Sequence, residues 1–208
     1  KTTMPMDFFR DIIEQYVEMG GHVVGFTPIV GDPMADKYLL DRLAYLNSLE
    51  EITKVGFYTN AIALREDKIR QLVEYKNTTI NLSISFGGFD RDTFRRIMGV
   101  DRFDQVKQNL LHLLTILREK GHSKFIVKFD FRCEDHDNGN LFSREVNKAV
   151  KEGVVRTDSI EMHFDTFGGR VSQRDLDRAG LGLSLNYGQP KLGPCEIPFI
   201  KPLVLADG

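Results

Sequence analysis

The chain has 208 residues, enough for one domain or one domain with a short extension. At 41% hydrophobic with 15 Phe, it can bury a substantial core, and its net charge of −2 gives no global reason to expect nucleic acid or a membrane surface as partner. No apolar run approaches the ~20 residues of a membrane span, no signal peptide is recognisable, and two cysteines are too few for a disulfide framework, so a cytoplasmic, reducing setting is expected.

The first element is a helix over 5–19, where Phe8, Phe9, Ile12, Ile13, Tyr16 and Val17 recur at helical spacing. Pro5 fits near its start and the Gly20-Gly21 pair stops it. A buried strand is expected at 22–29, then an amphipathic helix at 36–49 through Leu39, Leu40, Leu43 and Leu46. A strand follows at 54–60, a helix at 65–76 and a strand at 79–86. Helices are read at 91–98 and 103–121, the second capped by Gly121. The alternation continues with a strand at 124–132, a helix at 141–153 and a strand at 158–165. Strict helix–strand alternation argues for a parallel sheet with crossover helices. The last forty or so residues turn rich in Gly and Pro with little periodicity, which puts a boundary near residue 188.

Three of the strands alternate in polarity. Ile80, Leu82 and Ile84 share one face against Asn81, Ser83 and Ser85; Phe125, Val127, Phe129 and Phe131 oppose Lys128, Asp130 and Arg132; Ile160, Met162 and Phe164 oppose Glu161, His163 and Asp165. Doubly wound sheets use continuous apolar runs instead, and a packed barrel interior is filled with branched apolar side chains. A polar inner face suggests a full or partial barrel holding a ligand; the competing reading is an open face touching solvent or another domain. Charges such as Lys128, Asp130 and Arg132, if buried there, need partners or a ligand. Ligands in such folds sit at the C-terminal strand ends, where Gly31-Asp32-Pro33, Asn60, Ser85, Arg132 and Asp165 fall.

A strand followed by "VGDP", a helix, a strand ending in "YTNA", then "LSISFGG" and "GVDRFDQVKQNLLHLL" resembles the radical S-adenosylmethionine (radical SAM) family. The family versions of the first two motifs are Gly-Gly-Glu-Pro and Thr-Asn-Gly. The tail "GPCEIPFIKPLVLADG" resembles the entry to its cysteine-rich SPASM-type extension. The resemblance implies an α/β fold, a partial (β/α)6 TIM-like barrel of parallel strands with its first strand missing from this chain. It places the barrel at residues 1–188 and the start of the extension at 189–208.

The same resemblance implies that the turn Val30, Gly31, Asp32 and Pro33 presents backbone groups to the amino group of S-adenosylmethionine, with Asp32 in place of Glu. Ser83 and Ser85 are candidates for its ribose or carboxylate, Arg132 for its carboxylate by fork geometry, and Thr59 and Asn60 border the site. Cys195 matches a ligand of an auxiliary iron–sulfur cluster. The parent enzyme is expected to cleave S-adenosylmethionine at a 4Fe-4S cluster to a 5′-deoxyadenosyl radical that takes hydrogen from a small-molecule or peptide substrate. A flavodoxin or ferredoxin would donate the electron. The three cysteines of the family's Cys-x-x-x-Cys-x-x-Cys motif are not in the sequence, and Cys133 and Cys195 cannot replace them. The chain starts at Lys1 without Met and ends in "PLVLADG", so a fragment of a longer protein is expected, inactive alone, with its cluster ligands upstream.

Two other readings stand beside this one. One is a non-catalytic barrel binding a peptide or nucleoside. The other is an unrelated TIM-like enzyme using His163, Asp165 and Lys128 for acid/base work. Cys133 and His136 have a spacing metals accept, but with only two cysteines in the chain a metal site there is not expected; for His163 beside Asp165 a hydrogen-bonded interior histidine is preferred, and His22, His112 and His122 read as structural or solvent-facing. The four arginines of residues 88–102 read as a solvated helix face. Gly87-Gly88 and Gly168-Gly169 read as turns that let a ligand approach the backbone.

Overall fold

The structure, a computed structural model, describes residues 3–26, 31–121, 124–133, 138–157, 163–165, 170–180, 184–186 and 204. The chain divides into two compact units, Glu14–Ile160 and the pair of segments Lys1–Ile13 and Glu161–Gly208. Helix α1 (Met6–Glu18) runs across the first division.

In the larger unit, β1 (Val23–Phe26), β2 (Lys54–Thr59), β3 (Thr79–Phe86), β4 (Phe125–Phe131) and β5 (Arg156–Thr157) form one sheet in that order. Every neighbouring pair is parallel. Helices α2 (Leu39–Ser48), α3 (Glu66–Leu72), α4 (Arg91–Met98), α5 (Phe103–Lys120) and α6 (Leu141–Lys151) fall in the crossovers. This is the α/β architecture that the alternation predicts, consistent with a partial TIM-like barrel. The helices begin at side-chain caps where the sequence supplies them. Asp90 accepts the Thr93 N–H at 2.9 Å to start α4, and Asn140 accepts the Ser143 N–H at 2.8 Å to start α6.

The two faces of the sheet differ as the polarity pattern requires. Burial alternates residue by residue along β3 and β4. On the covered face, Phe86 meets Phe89, Phe129, Phe131 and Phe142 at centroid distances of 4.8–5.9 Å. Phe142 belongs to α6, so this is the face on which helices lie. The other face runs in lateral rows, Gly25–Gly56–Asn81–Ile126, then Tyr58–Ser83–Lys128–Arg156, then Ser85–Asp130. Tyr58 is half exposed there.

Element ends shift where local chemistry wins over periodicity. The helix read at 65–76 stops at Leu72, and the one read at 36–49 starts at Leu39 because Asp36 caps the turn before it, taking the Tyr38 N–H at 2.9 Å. The strand β5 is missing from the sequence reading: it has only two residues, both exposed, and so no apolar run to betray it. The strand read at 158–165 is described only at β6 (His163–Asp165), which pairs in parallel with β7 (Ser184–Asn186). Strand β7 and helix α7 (Gln173–Ala179) fall where the sequence showed little periodicity. Their signal was local: Ser172 and Asp175 form a capping box at the start of α7, and Gly180 closes it in the left-handed region. The boundary expected near 188 lies outside the described residues, as do Val30, His122, His136, Gly168, Gly169 and Cys195.

Candidate cofactor site

The turn after β1 is organised by its acid. Gly31 has φ 115°, a conformation that L side chains rarely adopt, so the chain can turn sharply there. Asp32 is extended and caps a single 3-10 turn, Pro33–Ala35, accepting the Met34 N–H at 2.8 Å. Pro33 occupies the first position of that turn, where its missing N–H leaves no donor unsatisfied.

The same carboxylate reaches across to the end of β2. It accepts the Asn60 N–H at 2.7 Å and the Thr59 hydroxyl at 3.0 Å from both oxygens. Thr59 in turn accepts the Ala61 N–H at 3.1 Å, and Asn60 Oδ1 accepts the Ile62 N–H at 3.0 Å. Three donors thus converge on one carboxylate. Asp32 is therefore committed to the protein's own donors, and what the turn offers a ligand is backbone.

The loop behind it is braced from α5. Asn109, buried in the apolar stripe of that helix, donates to the carbonyls of Ala61 at 2.8 Å and Ile62 at 3.1 Å, and Gln105 adds a bond to Ile62 at 3.0 Å. Ala61 has φ 61°, in the left-handed region that disfavours a Cβ, and the tethers hold it there. The sequence reading missed Asn109, although it stands within the Phe103-x-x-Val106-x-x-Asn109-Leu110 pattern. A lone Asn among Val106, Leu110 and Leu113 was the available signal.

Gly31, Asp32, Pro33, Thr59 and Asn60 thus form one connected group. Ser83 and Ser85 stand one strand further on: Ile84 between them registers with Thr59. Among the described residues their hydroxyls have no protein partner. Arg132 follows β4 and donates to Asp130 at 2.9 Å. The expected burial of Lys128, Asp130 and Arg132 is not observed: the first two are half-buried and Arg132 is exposed, because the open face carries no cover among the described residues of the larger unit. An exposed ion pair is worth about 0–1 kcal/mol, so the bond from Arg132 to Asp130 adds little to stability.

Other expectations resolve toward packing. A Cβ on Gly87 would sit 2.4 Å from Met98 Cγ, and one on Gly88 2.7 Å from Thr93 Cγ2, so these glycines let α4 close on the strand end. Arg91 pairs with Asp101 and Asp104, while Arg95 and Arg96 are exposed, in keeping with a solvated helix face. His22 lies against the Gly20 carbonyl and His112 beside Glu66 on the surface. Cys133 is buried, and among the described residues no group of three or more His, Cys, Asp or Glu is placed to hold a metal ion. Only the backbone of His163 and Asp165 is described.

The model of the Radical SAM superfamily matches residues 1–129, well over half of the chain, a span that contains the turn, the end of β2 and the Asn109 brace. The chain belongs to the radical SAM superfamily. No match is found among curated proteins. The family implies S-adenosylmethionine and a 4Fe-4S cluster. The turn at 31–33 suits the amino group of the former. For the latter the residues present do not fit: a cluster of this kind is held by a set of close thiolates, and the whole sequence has two cysteines, 62 positions apart at 133 and 195. No described helix is long and apolar enough to cross a membrane.

Proposed function

We propose that the chain is the cofactor- and substrate-positioning part of a radical SAM enzyme whose cluster ligands lie outside the 208 residues. The observation that carries this reading is the turn itself. Its acid is consumed by Met34, Thr59 and Asn60, while the Gly31 carbonyl has no partner among the described residues. A carbonyl in a turn fastened by Asp32 accepts an ammonium group; the methionyl amino group is such a group.

In this reading Ser83 and Ser85 meet the ribose or carboxylate, and Arg132 exchanges Asp130 for the carboxylate. Bound S-adenosylmethionine supplies the reactive carbon of the family's hydrogen-abstraction chemistry. The chain's own residues orient it and present the open face of β2–β4 to a substrate. That face carries hydroxyl, amide and charged groups, which favours a polar substrate such as a peptide. Residues 189–208 begin a SPASM-type extension in which Cys195 is a ligand of an auxiliary cluster. A reduced flavodoxin or ferredoxin serves as donor, in the cytoplasm.

Titration calorimetry with S-adenosylmethionine tests the binding step. Saturable binding that weakens on changing Arg132 to Ala supports the reading. Absence of binding, even by the longer protein carrying a reconstituted cluster, would overturn it. The scarcity of cysteines favours one second reading, a barrel that binds a peptide or nucleoside without catalysis. Under it, the gene upstream of Lys1 encodes no Cys-x-x-x-Cys-x-x-Cys motif.

A further inference from the structure

Helix α3 supplies a residue that nothing in the sequence pattern singled out. Lys68 Nζ donates to the Met34 carbonyl at 2.5 Å, reaching from the crossover after β2 into the turn after β1. Met34 is fully buried. The other inner carbonyls of the turn are also taken. Asp32 C=O accepts the Ala35 N–H at 3.0 Å and Pro33 C=O the Asp36 N–H at 2.9 Å. With Met34 capped by Lys68, the carbonyls of 32, 33 and 34 are all committed, and among the described residues that of Gly31 is left without a partner.

We propose that Lys68 is a positioning residue for the ligand's ammonium group: by capping the Met34 carbonyl it locks the 3-10 turn and leaves Gly31 as the acceptor the ligand meets. The inference rests on the reading of this turn as the amino-group site. Burial holds the Lys68 ammonium below the ordinary lysine value, with Arg65 adding to the effect and Asp67 and Asp32 opposing it. A half-buried cation so placed stays because its bond to the carbonyl is short and its surroundings include acids. Lys68 itself never touches the ligand. Without it, the Met34 carbonyl, three residues on from Gly31, loses its donor. The turn can then rearrange to use an incoming ammonium there, in the wrong place.

The test is calorimetry on the full chain with three probes. S-adenosylmethionine has both ammonium and carboxylate, decarboxylated S-adenosylmethionine keeps the ammonium alone of the two, and 5′-methylthioadenosine has neither. Lys68→Met is expected to weaken the first two by about 10-fold and to leave the third unchanged, while Lys68→Arg recovers most of the loss. Hydrogen exchange at the Asp36 amide should quicken in Lys68→Met and not in Lys68→Arg, a readout independent of any ligand. Equal weakening for all three probes, or none for any, would overturn the positioning role. A wild-type chain that binds decarboxylated S-adenosylmethionine no better than 5′-methylthioadenosine would overturn the amino-group reading itself, which separates the two failures.

Discussion

Asp32 and Asn60, 28 positions apart in sequence, are joined by a 2.7 Å bond from the Asn60 N–H to the Asp32 carboxylate. That bond ties the turn at Asp32 to the end of β2, and both carry a motif of the family resemblance. The acid in the first motif is thus an internal fastener of the second. Aspartate suits the role because its short side chain reaches the Met34 N–H and the Asn60 N–H together.

Asp32→Ala leaves two backbone N–H groups and the Thr59 hydroxyl without their charged acceptor. Bonds to charged groups contribute about 1.5–3 kcal/mol each, and their losses overlap. Urea denaturation is expected to show a loss of about 2–4 kcal/mol. Asp32→Asn keeps one acceptor oxygen but turns an NH2 toward donors, and should fall between. A loss under 0.5 kcal/mol for the alanine variant would contradict the fastener role.

The loop at Ala61 gives a second test. Ala61 is fully buried at φ 61°. Ala61→Val puts a β-branched side chain into a left-handed position with no free space, and a loss above about 2 kcal/mol is expected. Ala61→Gly relieves the backbone but removes a buried methyl and loosens the unfolded chain, so it should stay within about 1 kcal/mol of the parent. Asn109→Ala removes one donor from each carbonyl, while Gln105 still donates to Ile62 and the Leu64 N–H to Ala61, so it should lose only about 0.5–1.5 kcal/mol. The melting temperatures of the three variants rank the contributions directly.

The fold and the site were legible to different degrees. The alternation along β3 and β4 has a period of two over seven or eight residues, and it announced both the sheet and its two unlike faces. Strand β5 was silent because two exposed residues carry no period. In the site, Gly31-Asp32-Pro33 and Thr59-Asn60 are turn chemistry that sequence shows directly. Lys68 was not readable: a lysine on a charged helix, Glu66-Asp67-Lys68, looks like any solvated one, and only the approach of α3 to the turn gives it a buried partner. The same holds for the charges of β4. Polarity said they shared a face; it could not say that, among the described residues of the larger unit, nothing covers it.

Asp90 gives the pH test. Its backbone bond from Thr93 is the largest cause holding its carboxyl below the ordinary 3.8, with Arg96 adding a smaller push. The folded pKa is the lower one, so the unfolded chain binds more protons in this window and stability rises with pH there. The contribution is complete above about 3.8 and disappears as pH falls through the folded value. Asp90→Asn should flatten that part of the stability–pH curve while leaving the shape of the curve at neutral pH unchanged. Denaturant midpoints measured from pH 7 down to about 2.5 check it. An unaltered acid limb would refute the assignment.

Gly88 separates packing from ligand approach. It has φ 136°, and a Cβ there would lie 2.7 Å from Thr93 Cγ2 in the first turn of α4. Gly88→Ala meets two penalties, the backbone conformation and the clash, and should lose about 2–4 kcal/mol. Thr93→Ser removes the clashing methyl and keeps the hydroxyl. The double variant should therefore recover the steric part and leave the backbone part, a coupling of about 1 kcal/mol or more in a double-mutant cycle. If the glycine instead served ligand approach, the cycle would show no coupling in the absence of ligand. The affinity for S-adenosylmethionine would then fall while the melting temperature stayed put. The contact between Gly88 and Thr93 predicts the opposite order of effects.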